Sequence, residues 1–173
     1  MILKGFKEKS IKNKFNTILK AQSVTNKNHT VKNVGVIFNI EEVDDFEMFK
    51  SLADSLGLLP NAVQVIAYAN NEKDAAFSWN TCFHSKDFGW HGKITNVELE
   101  TFLNTEFDLL ISYYCEDILR LKLLTAYSKA KFKVSIFQLD KRLNDLIIET
   151  KVNEFDDFKS ELVKYLKVFN KIQ

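Results

Sequence analysis

Proline is almost missing from this chain, one residue in 173, and glycine is scarce at five. Long flexible or proline-rich linkers are thereby excluded. The two cysteines, Cys82 and Cys115, stand 33 residues apart and outside any CxxC pair. That spacing excludes a disulfide framework and a zinc ribbon. Among 24 basic residues only Arg120 and Arg142 are arginine, so bidentate phosphate clamps have little to draw on. No run approaches the roughly 18 apolar residues of a membrane span. The first fifteen residues carry a charge every two or three positions and lack the apolar stretch of about 7–15 residues found in signal peptides. The expectation is a soluble cytoplasmic protein.

The nucleotide signatures are also missing. The turn after the first apolar run reads Asn39-Ile-Glu-Glu42, acidic and glycine-free. Backbone amides could not approach a pyrophosphate closely there, and the carboxylates would repel it. Gly89-Trp-His-Gly-Lys93 has two residues between its glycines where a phosphate loop needs four, and Ile94 follows where Ser or Thr belongs. Ser112 lacks the glycines of a nucleophile elbow. Cys115 lies at a strand-to-helix junction that would favour a thiolate, but Glu116 and Asp117 oppose it. Cys82, His84, His91 and Cys115 are zinc-type donors at a spacing that matches no standard site. No metal and no cofactor is expected.

What the chain does have is a real core and an uneven distribution of charge. Apolar residues make up 46% and charged residues 27%, which excludes a disordered chain. The overall net charge of +1 hides two opposed parts. Residues 1–33 hold eight Lys and one Glu, net +7, and residues 34–173 are net −6. The acidic extreme includes Glu41, Glu42, Asp44, Asp45, Glu47 and Asp54. The expected division is a basic helix and connector over 1–33 and one α/β domain over 34–173.

Periodicity predicts an amphipathic helix over 5–21, with Phe6, Ile11, Phe15, Ile18 and Leu19 on one face. A buried strand follows at 34–40, then a helix from Asp44 or Asp45 to about Leu56, ended by Gly57 and Pro60. A second buried strand at 62–69 completes a β-α-β unit. Segment 70–96 is irregular, with Trp79 in it and a short strand near 81–83. Asn96 caps a helix over 97–103. Strands at 107–113, 132–137 and 146–150 alternate with helices at 116–129 and from Asp156 or Asp157 to Phe169. The pattern predicts a three-layer Rossmann-like α/β domain with a mainly parallel sheet of about five strands, plus the N-terminal helix.

In such a sheet, ligands bind beyond the carboxyl ends of the strands. The loops expected there carry Asn39, Glu41 and Glu42; Asn70, Asn71 and Lys73; Ser112 to Asp117; and Gln138, Asp140, Lys141 and Arg142. Asp87-Phe-Gly-Trp-His-Gly92 is the most unusual string, with two aromatics between glycines. Two functional readings follow. The first is a non-catalytic binding or adaptor domain that meets an anionic partner through Lys7, Lys12, Lys14 and Lys20. A protein partner, or docking on the acidic part of its own domain, comes ahead of nucleic acid or a membrane surface, because this helix has neither Trp nor Arg. The second is a small-molecule enzyme or ligand-binding crevice formed by loops 84–92 and 112–117. Its candidate residues are Asp87, Trp90, His91, Tyr114 and Glu116.

Several strings occur in a fixed order: Val36-Ile-Phe-Asn, Asp44-Asp-Phe-Glu, Lys86-Asp-Phe-Gly-Trp, Phe107-Asp-Leu-Leu-Ile-Ser-Tyr-Tyr, and Asp145-Leu-Ile-Ile with Phe155-Asp. Together they resemble a family of Bacteroidota proteins, flavobacterial above all, known only as a domain of unknown function. The resemblance covers nearly the whole chain. It implies a cytosolic bacterial origin and supplies no activity, cofactor or site residue. The stretch 107–136 also looks loosely like a lobe of nucleotide-sugar glycosyltransferases, a likeness of fold that says little about function.

Overall fold

The computed structural model describes residues 2–21, 29–43, 45–70, 82–137 and 140–173. Its centre is a six-stranded sheet: β1 (Val34–Asn39), β2 (Val63–Tyr68), β3 (Cys82–Phe83), β4 (Leu109–Tyr113), β5 (Lys133–Ser135) and β6 (Leu146–Ile147). The strand order is β3-β2-β1-β4-β5-β6, and every ladder is parallel. The helices are α1 (Ile2–Ala21), α2 (Ser51–Ser55), α3 (Val97–Asn104), α4 (Leu119–Tyr127) and α5 (Phe155–Val168). This is the Rossmann-like α/β architecture, with six strands rather than about five among the described residues.

β1 and β4 form the middle of the sheet because their side chains are apolar in both directions. Val34, Val36, Phe38, Leu109, Ile111 and Tyr113 belong to one core cluster with α2 and α5. Ile37 and Leu110 point the other way, into a second cluster with α1, α3 and α4. A strand covered on both faces reads as a continuous apolar run. Gly35 allows the second layer to close up. A Cβ there would lie 2.8 Å from the Phe107 ring.

α1 docks on this second face. Ile11, Phe15 and Leu19 recur every fourth residue and are buried, against α4 and the turn at Trp90–Gly92. Each such side chain contributes about 2 kcal/mol of hydrophobic stabilisation. Phe6, expected on the same apolar face, is instead 60% exposed, because at about 100° per residue it stands roughly 180° around α1 from Phe15. The acidic segment belongs elsewhere. Phe49, Leu52 and Leu56 pack in the first cluster, on the opposite side of the sheet. The basic helix therefore docks on its own domain, but not on the 41–54 segment.

Several expected boundaries move. The helix expected over 44–56 is a 3-10 turn, Phe46–Lys50, followed by α2. Its cap is Asp45, whose Oδ1 accepts the Glu47 amide at 2.9 Å; Asp44 lies outside the described residues. α4 starts at Leu119 rather than Glu116, because Glu42 holds the Cys115 and Glu116 amides in a non-helical turn. α5 begins at Phe155, one residue ahead of the expected Asp156. Asn96 caps α3 as expected, with Oδ1 accepting the Glu98 and Leu99 amides at 2.9 and 3.2 Å. Trp79, Asn71, Lys73 and Gln138 lie outside the described residues.

Candidate functional site: the crevice between β1 and β4

The chain proceeds outward in opposite directions from β1 and β4, so the order reverses between them. That switch point is where an open parallel sheet leaves a crevice beyond its carboxyl edge. In this protein the crevice is crossed by the chain's own side chains. Asn39 ends β1 fully buried. Its Oδ1 accepts the Glu41 amide at 3.2 Å, and its Nδ2 donates weakly to Glu116 Oε2 at 3.5 Å.

The two consecutive glutamates then fan out to either side of β1. Glu41 reaches the end of β2, accepting Asn70 Nδ2 at 2.6 Å and the Asn70 amide at 3.3 Å. Glu42 reaches the loop after β4, where Oε1 accepts the Cys115 and Glu116 amides at 2.8 and 3.1 Å. Three strand ends are thus braced by two carboxylates. The second oxygen of Glu42 is buried, and among the described residues no hydrogen bond within 3.5 Å reaches it. Burial pushes the Glu42 carboxyl above its ordinary value, against the amides that draw it down, and nearby Glu116 adds to the rise. Burial also raises the Cys115 thiol, with the Glu42 charge reinforcing it. Cys115 is therefore held as the thiol, not activated as a nucleophile.

A family model described as a family of unknown function (DUF6913) matches residues 7–169. The chain belongs to this family. No curated protein and no solved structure matches it. The DUF6913 match crosses the boundary expected at residues 33/34 and takes in the docked part of α1, from Lys7 onward.

In this DUF6913 chain the sequence candidates fall in separate places. Glu116 alone stands at the crevice, exposed, through its contacts with Asn39 and Glu42. Tyr114 is 1% exposed. Its hydroxyl meets Thr125 Oγ1 at 2.8 Å, and Thr125 Oγ1 meets Ser112 Oγ at 2.8 Å, beneath α4. Asp87 closes a turn: one oxygen accepts the His84 amide at 2.8 Å, the other Asn96 Nδ2 at 3.4 Å. Trp90 is 50% exposed. His91 takes a left-handed φ of 56°, and its amide donates to Ser10 Oγ on α1 at 3.1 Å. The turn at Trp90–Gly92 thus lies against α1. Among the described residues no group of three or more His, Cys, Asp or Glu is arranged to hold a metal.

Both arginines are taken by carboxylates. Arg120 pairs with Glu8 of α1 and sits 6.0 Å from the centre of the Phe88 ring. It also lies beside Tyr68, where it opposes the rise that burial imposes on that phenol. Arg142 grips Asp140 through Nε at 2.9 Å and Nη2 at 2.7 Å, which holds the Asp140 carboxyl below its ordinary value. The Glu8–Arg120 tie went unforeseen. The available signal was that Glu8 is the one acidic residue among the first 33. A second buried charge, Lys133, donates to the Thr125 carbonyl at 2.7 Å under α4, and burial drops its ammonium to about 8 against the opposing pull of Asp145.

The remaining candidates lie on α1. Lys12, Lys14 and Lys20 are exposed, and Lys7 is half-buried at the flank. A separate cavity of 510 Å³ opens beside the amino edge, lined by Val31, Asp54, Leu58 and Lys167 among others. Among the described residues no helix is long and apolar enough to cross a membrane.

Proposed function

We propose that this protein is a non-catalytic binding module that presents the basic outer face of α1 to an anionic partner. Its setting is the bacterial cytosol, in the Bacteroidota lineage whose sequences it resembles. The observation that carries the reading is how α1 is held. Ile11, Phe15 and Leu19 are buried, Glu8 pairs with Arg120, and Ser10 accepts the His91 amide. Lys9, Lys12, Lys14 and Lys20 are left facing solvent on a fixed helix. A prearranged array of charge engages a partner without the ordering cost a flexible tail would bear. The bracing of strand ends by Glu41 and Glu42 supports the same reading, since it occupies both carboxylates.

The test uses the full chain on immobilised polyglutamate over a salt gradient. Retention at low salt is expected, with loss near 1 M, where the screening length falls to about 3 Å. The K12E/K14E/K20E variant should pass unretained while melting as the parent does, because these side chains are exposed. Equal retention of variant and parent would sink the proposal.

A further inference from the structure

We infer that the anionic surface met by this module is a lipid bilayer, engaged by the first turns of α1 together with the Trp90 turn. The inference rests on the binding reading above and names the partner class. It begins with apolar side chains that the fold leaves outside. Leu3, Phe6 and Trp90 are 72%, 60% and 50% exposed. Large apolar residues scattered singly over a surface need no explanation, but a cluster does.

The fold brings these three together. Leu3, Phe6 and Ser10 follow one another at i, i+3 and i+7, so they lie along one stripe of α1. Ser10 is the residue that receives the His91 amide, at 3.1 Å, which seats the Trp90 turn on that same stripe. The outward direction of Trp90 is built in. Phe88, two residues earlier, is fully buried against Tyr68. Gly92 has a φ of +70°, and a Cβ there would lie 2.8 Å from Leu123. The turn is therefore pinned on both sides of Trp90.

The surroundings choose the partner. Lys7 and Lys9 flank the stripe on the helical wheel, and Lys93 follows the turn, exposed. Apolar side chains ringed by lysines are what the headgroup region of an anionic leaflet accommodates. The apolar groups enter the acyl boundary and the ammonium groups stay at phosphate depth. Trp is suited to that boundary because its body is apolar and its N–H is polar. The stripe also ends on a projecting helix turn. A Cβ at Gly5 would meet nothing within 4 Å. A fluid layer can bury such a projection without a matching groove.

The experiment uses the full chain with Trp79→Phe, leaving Trp90 as the only indole. The probes are vesicles of phosphatidylcholine, with or without about one-third phosphatidylserine. The expected result is co-sedimentation and a blue shift of Trp90 emission with the anionic vesicles only. L3S/F6S should weaken partitioning at least about tenfold, with no change in melting because both residues are exposed. K7E/K9E should weaken it by about fivefold or more per lysine. Retention on polyglutamate without vesicle binding would overturn the bilayer and leave the binding module standing. Failure on both probes would overturn both. Vesicle binding indifferent to L3S/F6S, or preference for single-stranded RNA over the vesicles, would also overturn the bilayer.

Discussion

At the amino edge of the sheet, Asp108 accepts Lys131 Nζ at 2.7 Å and the Lys32 amide at 3.0 Å. At the carboxyl edge, Glu42 accepts the Cys115 and Glu116 amides. Both carboxylates tie a segment flanking β1 to one flanking β4, and both are partly removed from water. Their ionisation moves in opposite directions. Burial pushes Asp108 up, but the Lys131 hydrogen bond, the Lys32 amide and the nearby positive charge outweigh it and hold it below its ordinary value. Among the described residues Glu42 has amides but no cation, its neighbour Glu116 is another carboxylate, and it stays above its ordinary value. Two backbone amides do not compensate a half-buried charge as an ammonium does. One edge is a completed ion pair; the other is a brace that is cheaper to form neutral.

The largest effect should come from breaking the completed tie. Asp108→Ala removes the acceptor for Lys131 and for the Lys32 amide, and with both partners able to reach water stability should fall by about 2 kcal/mol. Urea unfolding at pH 7 measures it, and a loss under about 1 kcal/mol would contradict the assignment. The pH dependence follows from the depressed carboxyl. The contribution of Asp108 is present above the value the group has unfolded, and it is lost as pH falls through the folded value. Parent and variant should therefore converge in acid.

Glu42 predicts the opposite sign. A carboxyl raised on folding contributes stability that is complete below its ordinary value of 4.5, and that stability is lost as pH rises through the folded value. Glu42→Gln keeps an oxygen for the two amides and removes the charge. It should match the parent below about pH 4.5 and exceed it at pH 7. With solvent screening allowed for, the gain stays below about 1 kcal/mol. Urea midpoints at the two pH values decide it. A gap that widens toward acid would show that the carboxylate itself stabilises the brace.

The contrast between the edges also explains what could be read from sequence. β1 and β4 were legible because residues such as Ile37 and Ile111 continue an apolar run that only a doubly covered strand tolerates. The docked stripe of α1 was legible at Ile11, Phe15 and Leu19, where spacing and burial agree. Phe6 misled because it is apolar, although its spacing of nine residues from Phe15 sets it on the far side of the helix. β6 is expected to reach Thr150, yet its ladder with β5 stops at Ile147, although Ile148 is buried like a strand residue. Glu41 and Glu42 were legible as acidic residues of the loop after β1. Their partners were not foreseeable. Glu42 bonds to amides 73 and 74 positions away, and no local pattern encodes a pairing of that range. Tyr114 and Asp87 are committed over much shorter range, the Tyr114 hydroxyl to Thr125 and the Asp87 carboxylate to the His84 amide three positions back.

The smallest effect isolates the far end of α1. The helix is anchored through its buried stripe, while near the carboxyl edge it adds the Ser10–His91 bond beside the Glu8–Arg120 pair. Ser10→Ala removes the His91 bond at an exposed site, worth about 0.5–1 kcal/mol to the turn, together with the hydroxyl's own donation to the Lys7 carbonyl within α1. The global melting transition should barely move. Local opening is another matter, because the Trp90–Gly92 turn is held to α1 at that point and has its own, lower opening free energy. Hydrogen exchange should accelerate at the His91 amide by about twofold to fivefold, as that free-energy range implies. The Lys32 amide, bonded to Asp108 at the other edge, should exchange as in the parent. Equal acceleration at both amides would mean that α1 opens as one unit, and the two edges would then be a single tie.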